Sequence, residues 1–266
     1  MDETRMPMKA DPLAAFRMDG DVVIVTGAGN GLGSAFAECL ASVGANVMVL
    51  DHDAQAAEAC AAHIRNNGGA AESHVVDVTQ EAMVDQAFAD IMARHGRIDV
   101  LVNNAGIAIR RPTVDLSLAD WNKVVDVNLT GVFLCCRAAG RHMLQREGGR
   151  IVNIASIMGL SGGGLYPNIS YQSTKGAVVN LTRALAVEWA RHGIRVNAVA
   201  PTWVRTAFTT PLFEQPELVA EMERMTPMGR VAEVDDVVGS VLFLASRASA
   251  LVTGHTLAVD GGYLAQ

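Results

Sequence analysis

The chain has 266 residues, of which 50% are hydrophobic and 18% are charged, and its formal net charge at pH 7 is −7. Nucleic acid and anionic membranes repel an acidic protein, so neither is expected as a main partner. No run approaches the ~18 apolar residues that span a bilayer. The N-terminal segment mixes acids and bases around no apolar core, which excludes a secretory signal peptide. We therefore expect a soluble cytoplasmic protein.

Neither the cysteines nor the histidines show the spacing of a metal site, so no metal is expected. Cys135 and Cys136 are neighbours within an apolar helical pattern, and we interpret all the cysteines as small core or half-buried residues in a reducing compartment. The four cysteines are Cys39, Cys60, Cys135 and Cys136. The seven histidines are His52, His63, His74, His95, His142, His192 and His255.

Short β-branched runs alternate with longer helical patterns along most of the chain. Residues 1–19 are expected to form a loose tail, because Pro7 and Pro12 interrupt any pattern. Strands are predicted over residues 22–25, 45–50, 74–76, 98–102, 150–154, 195–199 and 255–259. Helices are predicted over residues 32–43, 54–66, 81–95, 118–143, 169–192 and 234–245, the fourth with a break near 129–131. This order predicts one α/β domain over residues 20–266, a Rossmann-type doubly wound fold with a seven-stranded parallel sheet and helices on both faces.

The first strand runs into a glycine-rich turn, Thr26 to Gly33, that opens the next helix. Glycines at Gly27, Gly31 and Gly33 permit a tight turn, close approach of a pyrophosphate and close packing of helix on sheet. The free amides at the start of the helix attract phosphate. The simpler alternative is a turn that needs positive φ and nothing more, but the flanking strand and helix match the context of a dinucleotide site.

Asp51 ends the second strand, where a carboxylate accepts hydrogen bonds from the adenosine ribose hydroxyls and repels a 2′-phosphate. Its neighbours are His52 and Asp53, and Asn30 precedes the second key glycine, so no Arg or Lys stands beside it. We therefore predict NAD rather than NADP as the cofactor. The alternative role for an acid at this point, capping the following helix, suits Asp53 better.

Tyr171 and Lys175 are four residues apart in a predicted helix, so they lie on one face. An isolated Tyr hydroxyl titrates near pKa ~10 and is a poor base at neutral pH. Lowering this pKa to roughly 7 needs about 4 kcal/mol, which is more than one ammonium readily supplies. The pair therefore predicts an acid/base site only if a second positive charge lies close by.

These features resemble the short-chain dehydrogenase/reductase family from about Gly20 to Tyr263. Six segments carry the resemblance in order: TGAGNGLG, NNAG from Asn103 to Gly106, Asn128 within VVDVNLTGVFL, Ser156 after IVNIAS with Tyr171 and Lys175, PTWVRT from Pro201 to Thr206, and VTGHTLAVDGG. The resemblance implies a hydride-transfer enzyme that uses a nicotinamide cofactor.

The resemblance also implies the roles of the catalytic residues, Asn128, Ser156, Tyr171 and Lys175. Tyr171 would exchange a proton with the substrate oxygen, and Ser156 would hold that oxygen. Lys175 and the positive ring of the oxidised cofactor would together lower the pKa of Tyr171, and Asn128 would hold a water that links Lys175 to solvent. Two alternatives stay open. In one, Asn128 serves only to satisfy backbone groups at a helix break, and in the other, Ser161 is a competitor for the role of Ser156.

The implied cofactor contacts fall at the ends of the strands. Asp77 and Val78 would meet the adenine, Asn103 to Gly106 the adenosine side, and Val204 and Thr206 the carboxamide. The full set of implied cofactor-binding residues is Gly27, Asn30, Gly31, Leu32, Gly33, Asp51, His52, Asp77, Val78, Asn104, Ala105, Gly106, Tyr171, Lys175, Pro201, Val204 and Thr206. The implied substrate-binding residues are Ser156, Met158, Tyr171 and Trp203, with Asn168 as a further wall residue.

Two departures from the family pattern fall beside the substrate. The segment from Ser156 to Tyr171 is slightly longer than usual, and Gly162 to Gly164 are expected to absorb the excess. The usual Pro-Gly is Pro201-Thr202 here, and the β-branched Thr202 restricts the backbone. Tyr166 is excluded as the catalytic tyrosine, because the residue four positions later is Ser170 rather than Lys.

Residues 205–228 are expected to form a lid over the substrate. Its large apolar residues are Phe208, Phe213, Met222 and Met225, which suit helix packing as well as substrate contact. Arg110 and Arg111 suit an anionic substrate, but a solvated pair of loop charges is the simpler interpretation.

The segments PTWVRT, PMGR and VDGG resemble sugar, polyol and sugar-acid dehydrogenases most. The main hypothesis is therefore NAD-dependent oxidation of a secondary alcohol of that type. A 3-oxoacyl-thioester (acyl-carrier-protein) reductase and a non-catalytic nucleotide-binding protein are the alternatives. The resemblance also implies a homotetramer built on the two long helices, with a dimer as the alternative; the second helix has Ala177, Leu181, Ala184 and Leu185 on apolar faces.

Overall fold

The computed structural model describes residues 11–266, and within them seven strands form one sheet. The strands are β1 (Val22–Thr26), β2 (Asn46–Asp51), β3 (Ala70–Val75), β4 (Val100–Asn103), β5 (Gly149–Ile154), β6 (Ile194–Pro201) and β7 (Thr256–Val259). The order is β3-β2-β1-β4-β5-β6-β7, and all neighbouring strands are parallel. The predicted seven-stranded, doubly wound sheet is thereby confirmed.

Helices cover both faces of the sheet. They are α1 (Gly31–Ser42), α2 (Ala54–Asn66), α3 (Glu81–His95), α4 (Leu118–Val125), α5 (Gly131–Gln145), α6 (Ile169–Trp189), α7 (Thr210–Phe213), α8 (Pro216–Met225) and α9 (Val234–Ala245). Short 3-10 turns occur at Pro12–Phe16, Thr113–Asp115, Ile157–Gly159, Ala190–His192, Arg247–Ser249 and Tyr263–Ala265. No helix within residues 11–266 is long and apolar enough to cross a membrane.

The alternating directions of strand side chains create two cores. In β1, Val22 and Ile24 pack into the core beneath α3, α5 and α6, whereas Val23 and Val25 pack into the core beneath α1, α2 and α9. All four side chains are almost completely buried. Burial on both faces explains why the central strands have continuous apolar sequences rather than alternating ones.

Three predictions about elements are wrong in detail. The break predicted near residues 129–131 is a π-helical segment, Asp126–Thr130, that joins α4 to α5 without leaving helical backbone angles. The third strand begins at Ala70 rather than His74 and ends before Val76. Part of the predicted loose tail is ordered: Pro12–Phe16 form a 3-10 turn and Met18 is 1% exposed in the core, while residues 1–10 lie outside the described residues.

Candidate active site

The sheet changes direction of winding between β1 and β4, where an α/β sheet of this type binds its ligands. Two connected hollows lie at this point, a cleft of about 850 Å³ and a smaller hollow of about 90 Å³. We call them the outer cleft and the inner cavity. The residues that line both are Leu32, Ile154, Tyr171, Thr206 and Phe208.

The glycine turn forms the floor of the outer cleft. Gly27 has φ +60°, and a Cβ there would lie 2.8 Å from the Cα of Ala105, so no other residue fits without a backbone shift. Asn104 holds the turn in place, with Nδ2 donating to the carbonyls of Thr26 at 3.0 Å and Gly27 at 2.9 Å. Gly33 does not line the cleft; a Cβ there would collide with the Gly27 carbonyl oxygen, so Gly33 serves packing rather than contact.

Asp51 lines the outer cleft from the end of β2. Its Oδ2 accepts from the amide of Gly29 at 2.9 Å, and its Oδ1 accepts from the amide of Asp53 at 3.1 Å. His52 Nδ1 lies 2.9 Å from the same Oδ1. Asp53 caps α2 by accepting from the amides of Gln55 and Ala56, as predicted. The carboxylate of Asp51 is therefore fixed against the glycine turn.

Most of the other predicted cofactor residues also line one of the two hollows. The outer cleft includes Asn30, Gly31, His52, Asp77, Val78, Ala105, Gly106 and Lys175. The inner cavity includes Pro201 and Val204. Asn103 was expected on the adenosine side and is not: its buried Nδ2 donates to Asn153 Oδ1 at 2.8 Å and to Cys136 Sγ at 3.2 Å, beneath the site.

Tyr171, Lys175 and Ser156 converge where the two hollows meet. Lys175 is 3% exposed, and its Nζ donates to the carbonyl of Ile154 at 2.6 Å and lies 5.5 Å from the centre of the Tyr171 ring. Ser156 is 6% exposed, and its Oγ accepts from the amide of Met158 at 3.1 Å. The first turns of α6 and the end of β5 thus bring a phenol, an ammonium and a hydroxyl together.

Burial dominates the acid/base properties of this cluster. It raises the pKa of Tyr171 to about 12, against an opposing hydrogen bond with Ser156. Burial also lowers the pKa of Lys175 to about 8, because a buried ammonium loses its hydration. In the protein without cofactor, burial outweighs the opposing effects on the pKa of Tyr171, and the lowering of that pKa by Lys175 stays a prediction. Tyr171 becomes a useful base only when a further positive charge enters the outer cleft.

Asn128 lies in the π-helical segment and is completely buried. Its Oδ1 accepts from the amide of Ile107 at 2.8 Å, and its Nδ2 donates to the carbonyl of Ile107 at 2.9 Å and to Thr174 Oγ1 at 3.3 Å. The side chain therefore satisfies backbone groups, as the simpler alternative predicted. The water link to Lys175 stays a prediction.

The inner cavity is lined by Ser156, Met158, Asn168 and Trp203, all expected near the substrate. The indole of Trp203 donates to the hydroxyl of Tyr166 at 3.0 Å. Ser161 lines neither hollow; its hydroxyl donates to the carbonyl of Ile157, which leaves Ser156 as the serine of the site.

The interpretation of Arg110 and Arg111 as a solvated pair of loop charges is wrong for Arg110. Its guanidinium carbon lies 5.6 Å from the ring centres of both Tyr166 and Phe208, and its side chain lines the inner cavity. Arg111 is exposed, with Nε 4.0 Å from Asp120. Two adjacent arginines look alike in sequence, and only the path of the loop after β4 directs one of them inward.

The predicted lid contributes one large apolar side chain to the site. Phe208 lines both hollows, whereas Phe213, Met222 and Met225 pack with Trp203 in a separate small core. No group of three or more His, Cys, Asp or Glu residues within 11–266 is placed to hold a metal ion.

Comparison with known proteins identifies the family. A family model described as enoyl-(acyl carrier protein) reductase matches residues 27–264. The chain belongs to the short-chain dehydrogenase/reductase family. It is 40% identical over 248 residues to D-threitol dehydrogenase of Mycolicibacterium smegmatis, a match that covers 93% of this chain and 94% of that protein.

Other members of the family are also similar over nearly the whole chain. The crystal structure of a gluconate 5-dehydrogenase from Burkholderia cenocepacia, in complex with NADP and tartrate, is 39% identical with a TM-score of 0.93 and covers 96% of this chain and 100% of its own. A 3-oxoacyl-[acyl-carrier-protein] reductase of Synechocystis is 40% identical over 247 residues, 92% of this chain and 97% of that protein. The chain is thus a short-chain oxidoreductase.

Proposed function

We propose that this oxidoreductase uses NAD to oxidise a secondary alcohol of a polyol or sugar acid to the ketone, and catalyses the reverse reaction with NADH. The observation that carries the proposal is the place of Tyr171, which lines both hollows and so faces a nucleotide on one side and a small substrate on the other. The enzyme works as one domain over residues 20–266, as a cytoplasmic homotetramer.

A dinucleotide fits the outer cleft on three counts. The cleft holds about 850 Å³, Gly27 and Gly31 line it without side chains so that phosphate can approach the backbone, and the N-terminus of α1 presents free amides to phosphate. The oxidised nicotinamide, when bound, accepts a hydride from the substrate carbon and adds a positive charge to the site.

The protein's own residues handle the proton. Tyr171 takes the hydroxyl proton of the alcohol on its phenolate oxygen, while Ser156 donates a hydrogen bond to the substrate oxygen. Lys175, held by the Ile154 carbonyl at 2.6 Å, keeps an ammonium beside the Tyr171 ring and stabilises its phenolate. Ser156 and Lys175 are buried and Tyr171 is half-buried, which limits the access of water to the reacting atoms.

NAD rather than NADP follows from the fixed carboxylate of Asp51. The basic side chains that line the outer cleft, among the described residues, are His52, Lys123 and Lys175, and the first of these lies against Asp51 itself. A 2′-phosphate would meet this carboxylate, which repels it. The related gluconate 5-dehydrogenase was crystallised with NADP, so the proposal of NAD for this chain depends on Asp51.

A hydroxylated substrate follows from the polar lining of the inner cavity. Three buried polar atoms there have no hydrogen-bond partner among residues 11–266: Arg110 Nε, Asn168 Oδ1 and Thr202 Oγ1. Arg110 is also the only cationic side chain among the described residues that line this cavity, which favours a sugar acid over a neutral polyol. The 3-oxoacyl-thioester alternative, suggested by the Synechocystis relative, offers no hydroxyl groups to these atoms.

The assay is oxidation of a panel of polyols and sugar acids with NAD and with NADP, followed by the absorbance of the reduced cofactor. Tyr171→Phe should lower kcat by about 10²- to 10⁴-fold, because the phenolate of Tyr171 is the proton acceptor. Tyr166→Phe is the matched control, since Tyr166 lines the inner cavity alone. Full activity in Tyr171→Phe would refute the mechanism, and NAD binding without turnover of any alcohol would favour a non-catalytic nucleotide-binding protein.

The homotetramer is supported by apolar side chains left exposed on the long helices. On α5, Phe133 is 47% exposed, and on α6, Val187 is 83% exposed. Leu181 and Leu185, expected at an interface, pack partly against the core of their own subunit. Of the four predicted residues, Ala184 is exposed, and Ala177, Leu181 and Leu185 are half-buried.

A further inference from the structure

Asn168 occupies a position where its side chain could have capped a helix and does not. It is the N-cap residue of α6, and its backbone carbonyl accepts from the amide of Gln172 at 3.0 Å, so the helix begins normally. The side chain makes no capping bond, although Asn at an N-cap commonly does. It is 4% exposed and lines the inner cavity, and its Oδ1 has no partner among the described residues.

Thr202 presents a second unpartnered group to the same cavity. Its backbone amide bonds to the carbonyl of Val259 at 3.1 Å, which fixes the residue at the end of β6. Its Oγ1 is buried without a partner in the part of the chain that the structure describes. Because a Thr hydroxyl commonly bonds to a nearby carbonyl, a free one on a cavity wall is available to a ligand.

Asn168 immediately precedes α6 and Thr202 immediately follows β6, so the two residues approach the cavity from different elements. An amide and a hydroxyl each donate and accept hydrogen bonds, as the hydroxyl groups of a polyol do. A buried polar atom that is satisfied only by a ligand penalises any ligand that lacks the matching group. The cavity of about 90 Å³ also has room for only a small hydroxylated fragment beside the reacting carbon.

We propose that Asn168 and Thr202 form a hydroxyl-binding subsite that hydrogen-bonds the substrate hydroxyls next to the oxidised carbon. The pair determines substrate specificity and takes no part in proton or hydride transfer. The inference rests on the proposed function, because it assigns the part of that same site that recognises a polyol. It makes the enzyme selective for vicinal diols over alcohols with a single hydroxyl.

The test compares two four-carbon alcohols, threitol and 2-butanol, which differ in the flanking hydroxyls. Asn168→Leu and Thr202→Val remove the polar groups at similar volume. Each should lower the ratio of kcat/KM for threitol to kcat/KM for 2-butanol by about 10-fold to 100-fold. The affinity for NADH, measured by fluorescence titration, should stay within about twofold, because neither residue lines the outer cleft.

Thr256→Val is the matched control. Thr256 Oγ1 is likewise buried without a partner among residues 11–266, but Thr256 lines neither hollow. The same substitution should therefore leave the ratio unchanged. A loss of similar size on both substrates in Thr202→Val, or a change of similar size in Thr256→Val, would overturn the proposal.

Calorimetric titration of threitol into the protein saturated with NADH reports on the subsite without turnover. Threitol binding that both cavity variants weaken by at least about tenfold supports the subsite, even if no alcohol is oxidised and the proposed function fails. Wild-type protein that oxidises 2-butanol but does not bind threitol overturns the subsite and leaves the dehydrogenase activity intact.

Discussion

Lys175→Met is expected to abolish activity while leaving the protein no less stable at pH 7. Lys175 is 3% exposed, and burial lowers its pKa from 10.5 to about 8. At pH 7 the folded protein therefore carries a buried ammonium, and that charge costs free energy which methionine does not. Activity is lost because no cation then stabilises the phenolate of Tyr171.

The magnitude follows from proton linkage. Between pH 8 and 10.5 the unfolded chain binds more protons at this lysine than the folded one, so stability rises with pH through that window. The shift corresponds to roughly 3 kcal/mol lost below pH 8, at about 1.4 kcal/mol per pH unit. Most of this, roughly 2 to 3 kcal/mol, is recovered between pH 7 and pH 10.

Methionine also leaves the Ile154 carbonyl without the hydrogen bond from Nζ, which costs about 1–3 kcal/mol at either pH. The variant should thus equal or exceed the wild type in stability at pH 7 and be less stable at pH 10. The measurement is urea unfolding of both proteins without cofactor, at one protein concentration and both pH values.

The matched control is Lys123→Met, the same substitution at an exposed lysine of the outer cleft. The free energies of unfolding of wild type and Lys175→Met are compared at each pH. If their difference changes by less than about 0.5 kcal/mol from pH 7 to pH 10, Lys175 is not a buried, charged group.

Three further substitutions test the cofactor site and the assembly. Asp51→Asn removes the carboxylate that accepts from the amides of Gly29 and Asp53. The variant should raise KM for NAD by about tenfold or more, and its preference for NADP relative to NAD should increase. An unchanged ratio of kcat/KM for NAD to kcat/KM for NADP contradicts the role of Asp51. Gly27→Ala should destabilise the protein by at least about 1 kcal/mol more than Gly68→Ala. Both glycines have positive φ, but only at Gly27 would a Cβ meet backbone atoms. Chemical unfolding of the two variants measures the difference in free energy of unfolding. Val187→Asp should dissociate the proposed tetramer, since Val187 is 83% exposed on α6, whereas Leu13→Asp should not. Light scattering after gel filtration reports the mass of each variant.

Much of the site could be predicted because its parts are local. The glycine turn, Asp51 at a strand end, and Tyr171 one helical turn before Lys175 each depend on the residues around them and on the alternation of strands and helices. Asp53 as a cap of α2 was predicted for the same reason. The parallel order of strands then brings these segments to one edge of the sheet, as the alternating pattern implies.

Predictions failed where a residue's role depends on a distant partner. The sequence placed Asn103 with Asn104, but a buried network with Asn153 and Cys136 takes up its side chain. It treated Arg110 and Arg111 as a pair, and the loop separates them. These outcomes depend on which strands and loops become neighbours, which a linear pattern does not show.

The amino-acid sequence by itself determined the alternating α/β architecture, the nucleotide turn and the Tyr171–Lys175 pair, because backbone geometry and side-chain period act over a few residues. Only the tertiary structure decided the electrostatics of that pair and the shape of the pocket before it. Burial raises the pKa of Tyr171 to about 12 and lowers that of Lys175 to about 8. Desolvation is a property of everything packed around a group, so it becomes visible only once α6 packs against β6, α4 and the turn at Ile157–Gly159.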